Sequence, residues 1–99
     1  MTTIQAAGYI VTNNEAIWGT GKTADEAWAD FLRGMSEARV TVLLPSEDMP
    51  EEGGSYTRAD DYQIKPATTA LLAEIEGKGG NIGWRMRGGV ACTRDEAEA

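Results

Sequence analysis

The chain contains no histidine and only one cysteine, Cys92. The missing histidine removes the side chain that most often serves as a general base or as a metal ligand. A single cysteine cannot form an intrachain disulfide or a cysteine-rich metal site. These shortages point away from an enzyme, so we expect no catalytic residues, no bound metal and no cofactor.

Long apolar runs and positive charge are also scarce. No run reaches the length of a membrane span, and the N-terminus lacks the basic start and apolar stretch of a signal peptide. Nine Lys and Arg against 16 Asp and Glu give a net charge of −7, which disfavours direct binding to nucleic acid or to anionic membranes. We therefore expect a cytoplasmic protein, of a cell or of a virus infecting one. Its acidity serves solubility, a basic protein partner, or mimicry of nucleic acid.

Strand and helix patterns alternate along a chain long enough for one domain. The predicted elements, in order, are strands at 5–12 and 15–19, a helix from 24, a strand at 39–44, a possible strand at 62–65, a helix from 69, and strands at 81–87 and 90–92. This ββαβ(β)αββ order predicts a single α+β domain over residues 1–99. We expect a mainly antiparallel sheet with the two helices on one face.

The first helix has the clearest pattern. Thr23 is a good N-cap, and Glu26 three residues later completes a capping box. Apolar residues then recur at three- and four-residue spacing through residue 35, as in a helix with one buried face. A similar Thr-x-x-Glu pattern starts at Thr93, but so near the end of the sequence that we expect at most one frayed turn.

Residues 16–23 (AIWGTGKT) satisfy a loose phosphate-binding loop pattern, in which backbone amides and a lysine surround a phosphate. Trp18 would obstruct the phosphate, and a hairpin at this place leaves no room for the parallel crossover of that fold. Gly19 and Gly21 are better explained as turn residues that break the strand. Binding of a phosphate or small ligand by the Gly19–Thr23 turn remains the alternative function.

Residues 46–61 form the longest stretch without a helix or strand pattern, and they are strongly acidic. Loops this long inside a compact domain are usually functional or mobile. Their paired carboxylates lack the spacing of a calcium loop, so they are either ordinary solvated charges or a surface for a partner. The candidate partner-binding residues are Glu47, Asp48, Glu51, Glu52, Tyr56, Asp60 and Asp61.

Three further groups of residues stand out, and the last two carry two interpretations each. Cys92 lies in an apolar strand, where a buried, unreactive thiol is expected. The tryptophans are typical of core residues or of interface anchors. The one basic concentration is interpreted as a solvent face or as a contact for an anionic group. The tryptophans are Trp18, Trp28 and Trp84, and the basic residues are Lys78, Arg85, Arg87 and Arg94.

Residues 19–27 (GTGKTADEA), which follow a short strand, resemble the HicB-type antitoxin domain, where a Gly-x-Thr-x-x-Glu-Ala segment marks the passage from hairpin to helix. The resemblance covers about residues 5–45 and implies a toxin-neutralising α+β domain. HicB-type proteins usually continue into a DNA-binding segment, whereas residues 93–99 are acidic, so no functional residue is carried over. Small phage-encoded anti-defence proteins, including anti-CRISPR proteins, are similar in size and acidity.

These observations predict a small, acidic, non-enzymatic binding protein. It would inhibit or regulate a protein partner, as antitoxins and anti-defence proteins do, and that partner would be basic or would handle nucleic acid. A homodimer formed through an exposed sheet edge is a third possibility.

Overall fold

The computed structural model describes residues 5–48 and 53–98. Its elements, in chain order, are β1 (Gly8–Thr12), β2 (Ile17–Gly21), α1 (Ala24–Glu37), β3 (Val40–Leu43), β4 (Ser55–Arg58), β5 (Gln63–Ala67), α2 (Thr69–Lys78), β6 (Arg85–Arg87), β7 (Val90–Cys92) and α3 (Arg94–Glu98). A short 3-10 turn, Ala59–Asp61, links β4 to β5.

Five strands form one sheet in the order β2-β1-β5-β7-β6. Three of its four pairings are antiparallel, and only β5 and β7 run parallel. β3 and β4 form a separate parallel pair. The predicted α+β class with a mainly antiparallel sheet is therefore confirmed.

The core lies on both faces of β1, because successive side chains of a strand point to opposite faces. Ile10 packs with Leu71 of α2, and Val11 packs with Phe31 of α1. All four side chains are fully buried. The two long helices therefore cover opposite faces of the sheet, which differs from the expectation that they share one face. β1 is apolar at consecutive positions because it lies between two helices.

The sequence suggested that Gly19 and Gly21 break the second strand. Both residues instead lie within β2. They pair with Val11 and Tyr9, on the face that α1 covers. A Cβ atom on Gly19 would lie 2.6 Å from the carbonyl oxygen of Ala27, and one on Gly21 would lie 2.5 Å from the nitrogen of Ala27. The glycines therefore let the α1 backbone rest directly on the strand.

A β-bulge places Trp18 outside the core. Val11 pairs with Gly19 and the next residue, Thr12, pairs with Ile17, so Trp18 has no partner on β1. Its side chain is 45% exposed, whereas its neighbour Ile17 is buried. Of the two interpretations of the tryptophans, that of a core residue is therefore wrong for Trp18. The other two tryptophans are partly buried against the two clusters of the core.

The segment 46–61, expected to be a loop, contains β4 and the 3-10 turn. The hydroxyls of Thr57 and Tyr62 are hydrogen-bonded at 2.9 Å, and the Tyr62 ring lies 4.5 Å from that of Phe31. Val42, which pairs with Thr57, packs in the same cluster. β4 thus directs the polar side chain of Thr57 towards the core, where the Tyr62 hydroxyl is its hydrogen-bond partner. A strand without an apolar alternation gives no periodic signal in the sequence.

Two other strands have bounds that differ from the prediction. β5 runs through Pro66, which was expected to end it. It tolerates proline because β7 meets β5 only at Ala67, so little pairing is lost on that side. β6 is shorter than predicted and begins only at Arg85.

Residues after Thr93 form a bound helix, α3, rather than a frayed turn. The Thr93 hydroxyl accepts a hydrogen bond from the Glu96 nitrogen at 3.1 Å, and the Glu96 carboxylate accepts one from the Thr93 nitrogen at 3.0 Å. This is a complete capping box. The side chain of Thr68 and that of Arg87 also bind α3, which explains why so short a helix is ordered.

Candidate functional site

The parallel pairing of β3 and β4 brings two acidic segments to one end of the molecule. Leu43, the last residue of β3, pairs with Arg58, the last residue of β4. Because parallel strands run in the same direction, the residues that follow each strand leave at the same end. Four exposed carboxylates therefore share this end, which we call the acidic end: Glu47, Asp48, Asp60 and Asp61.

Hydrogen bonds hold the backbone of the acidic end while its carboxylates stay in solvent. The Glu47 nitrogen donates to the Leu44 carbonyl at 2.9 Å, and an Arg58 guanidinium nitrogen donates to the Glu47 carbonyl at 3.1 Å. The Tyr62 nitrogen donates to the Ala59 carbonyl at 3.2 Å. Within residues 5–48 and 53–98, none of the four carboxylates forms an ion pair. They are free to attract a positively charged surface.

Of the three remaining predicted site residues, only Tyr56 lies in the described part of the chain, and it is not at the acidic end. Tyr56 lies on β4, opposite Thr41, and its half-buried ring covers Gly54. It shares one strand face with Arg58 but sits further from the exits of the strands. Glu51 and Glu52 lie outside the described residues. The structure therefore brings together four of the five predicted residues that it describes.

Carboxylates already bind two amide groups of the Gly19–Thr23 segment, those of Thr20 and Lys22. The Lys22 nitrogen donates to the Glu26 carboxylate at 2.9 Å, and the Glu26 nitrogen donates to the Thr23 hydroxyl at 3.1 Å. A phosphate at this helix start would meet the carboxylate of Glu26 and would have to displace it. Lys22 and Glu26 both line a groove between the end of β2 and α2. This geometry does not favour the alternative of a phosphate site.

All four basic residues noted in the sequence have contacts within the chain, and three of them reach beyond a neighbouring residue. Arg87 donates to the carbonyls of Glu96 at 3.2 Å and Ala97 at 3.0 Å, so it caps the end of α3. Lys78 pairs with Glu74 at 3.8 Å, and the Arg94 side chain lies against Gly83. Arg85 is exposed and donates to the carbonyl of Trp84. Sequence reasoning could not separate these roles, because α3 was not expected to dock.

The thiol and the carboxylate near α3 have shifted acidities. Burial raises the pKa of Cys92, the nearby Glu96 carboxylate raises it further, and Arg87 lowers it only in part. Burial also acts to raise the pKa of Glu96, but hydrogen bonds from Thr68 and Thr93 outweigh it, so this pKa is lowered. The Cys92 side chain has no exposed surface. These shifts accompany packing and give a poor nucleophile.

No protein-family model, curated protein or solved structure matches the chain. Among residues 5–48 and 53–98, no three His, Cys, Asp or Glu side chains are grouped as a metal site would need. The helices in that part of the chain are all too short or too polar to cross a membrane. The functional case therefore depends on the surfaces of the chain itself.

Proposed function

We propose that the protein is a non-enzymatic binding protein that inhibits or regulates a protein partner by covering a basic surface on it. The observation that carries this proposal is the acidic end. Two separate acidic segments meet there because β3 and β4 are parallel, and their backbone is fixed by the Arg58–Glu47 contact. A preordered charged surface loses less entropy on binding than a mobile loop would.

Electrostatics supports a basic partner. The whole chain carries a net charge of −7, so it attracts positively charged molecules over a distance of about one Debye length, ~8 Å at physiological salt. Complementary charge mainly speeds association and selects the partner. A strongly basic patch is the electrostatic footprint of a surface that binds nucleic acid, so we propose a basic or nucleic-acid-handling partner. Small antitoxins and anti-defence inhibitors are similar to this chain in size and acidity, and we propose that it acts as they do.

The proposal is tested by affinity capture from a bacterial lysate with the tagged protein, with and without nuclease, and with elution by salt. We expect a defined protein that resists nuclease and is released by salt. Reversing Asp60 and Asp61 to Lys is expected to weaken its binding at least ~10-fold, because two attractive charges become repulsive.

The matched control reverses Glu15 and Glu98 to Lys. Both residues are exposed and lie outside the acidic end, and the net charge changes by the same amount. The control is expected to bind almost as well as the wild type. Equal losses in both variants would show that net charge alone, and not the acidic end, determines binding.

A further inference from the structure

The outer edge of β2 is closed against pairing with another strand. The Ile17 nitrogen donates to the Gly80 carbonyl at 2.9 Å, and the Thr20 nitrogen donates to the Asp30 carboxylate at 3.0 Å. The Lys22 nitrogen is bound in the same way by Glu26 at 2.9 Å. Native proteins commonly protect edge strands like this, because an unpaired edge is a template for a strand from another chain.

The outer edge of β3 has no such protection. β3 pairs only with β4, and no hydrogen bond closes its other side within residues 5–48 and 53–98. A two-stranded sheet is marginal by itself, and further strands stabilise it. A groove runs beside this edge, lined by Leu32, Ser36, Arg39, Val40, Thr41 and Val42. The Leu32 side chain is 40% exposed, the largest apolar side chain of α1 left open to solvent.

Charge is distributed unequally along β3. Arg39 directly precedes the strand, is exposed, and forms no ion pair within the described part of the chain. Glu47 and Asp48 follow the strand at its other end. The groove beside β3 is lined by one cation and no carboxylate. A strand that also has a cation before it and carboxylates after it would, when antiparallel to β3, bring opposite charges together at both ends. The β3 strand of a second copy is such a strand.

We infer that β3 pairs antiparallel with β3 of a second copy, which gives a four-stranded sheet in the order β4-β3-β3-β4 about a two-fold axis. Directly opposed residues of an antiparallel pair point to the same face, so the axis must pass between two copies of one residue. The register centred on Val42 brings the opposite charges closest: Thr41 faces the partner's Leu43, and Arg39 lies opposite the partner's Pro45, two residues before Glu47 in that chain. Each Arg39 is thus brought towards Glu47 and Asp48 of the other copy, and the contact forms twice.

The same arrangement covers the exposed apolar surface beside the strand. Leu32 flanks the groove on the side of α1, and the two copies of α1 lie on the same face of the joined sheet. Asp60 and Asp61 follow β4, one strand further from the axis, so they stay available at the outside of the dimer. This inference does not depend on the proposed function, since it concerns the isolated protein.

The inference is tested by sedimentation velocity over a concentration series. We expect a reversible dimer of the wild type. Arg39→Glu is expected to raise its dissociation constant at least ~10-fold, and so is the double variant Glu47→Arg with Asp48→Arg, because each puts like charges together twice. Mixing the two variants restores both opposite-charge contacts, so the mixture is expected to form a heterodimer at wild-type concentrations.

Arg85→Glu is the matched control, because it makes the same charge change at an exposed position on β6. It is expected to leave the dissociation constant unchanged. Recovery of dimer in the mixture also shows that both variants are folded. A wild type that stays monomeric at all concentrations up to about 1 mM, a range that reaches weak affinities of about 4 kcal/mol, would overturn the inference. A dimer that Arg39→Glu does not weaken would overturn it too.

Discussion

The Thr68 hydroxyl donates a hydrogen bond to the Glu96 carboxylate at 2.6 Å and thereby joins the starts of two helices. The same hydroxyl accepts a hydrogen bond from the Leu71 nitrogen at 3.2 Å, which makes Thr68 the N-cap of α2. The Thr68 nitrogen donates to the Ala91 carbonyl at 3.0 Å. One buried threonine therefore connects α2, β7 and α3.

Thr68→Val is expected to destabilise the protein by about 2 kcal/mol, since it removes a helix cap and a hydrogen bond to a carboxylate while keeping the side-chain shape. Urea unfolding at pH 7 measures the loss. Thr69→Val is the control, because Thr69 is exposed and its hydroxyl has no comparable contact. Equal stability of the two variants would show that the Thr68 hydroxyl has no bridging role.

Glu96→Gln tests the charge of the same contact. The pKa of Glu96 is lowered in the folded protein, so its carboxylate stabilises the fold above the ordinary glutamate pKa, and this stabilisation is lost as the pH falls through the folded pKa. We expect the substitution to cost about 1 kcal/mol at pH 7 and progressively less below pH ~4.3. Urea unfolding at several pH values measures the difference. Glu98→Gln, in the same helix but exposed, is expected to show no such trend.

Gly19→Ala is expected to destabilise the protein strongly, because the added Cβ would lie within 2.9 Å of three atoms of Ala27 and Phe31. Separating α1 from β2 enough to admit a methyl group would cost about 3 kcal/mol. Thermal unfolding compares it with Gly34→Ala, whose Cβ would meet nothing within 4 Å. Gly34 lies inside α1, so that control is expected to raise stability by about 0.5–1 kcal/mol. A tolerated alanine at position 19 would contradict the close helix–strand contact.

Cys92 is expected to react with a thiol reagent at least ~100-fold more slowly in the native protein than in urea, because it is inaccessible and its pKa is raised. The rate of labelling at pH 8 measures this. Thr68→Val loosens α3 and is expected to accelerate native labelling, whereas Thr69→Val is not. Fast labelling of the native wild type would contradict the burial of Cys92 in β7.

Local signals in the sequence predicted several elements correctly. Thr23 is the expected N-cap of α1 and accepts a hydrogen bond from the Glu26 nitrogen, but the Glu26 carboxylate binds the nitrogen of Lys22 and not that of Thr23, so the predicted capping box is only half formed. The second helix, α2, begins at Thr69 as predicted. The apolar stripe of α1 supplied the buried Phe31 and Met35. Such features succeed because capping and helical periodicity depend on residues within one turn of each other. The function predicted from charge stays a prediction.

The sequence by itself determined the helix starts, the hairpin of β1 and β2, the α+β class and the excess of negative charge. Only the tertiary structure decided what depends on distant partners. Gly19 allows close packing because the α1 backbone lies directly on it. Thr57 belongs to a strand because it pairs with Val42 and its hydroxyl is hydrogen-bonded to that of Tyr62. The acidic end exists because β3 and β4 run parallel across a long connection. Strand pairing joins residues far apart in the chain, and no local pattern encodes that choice.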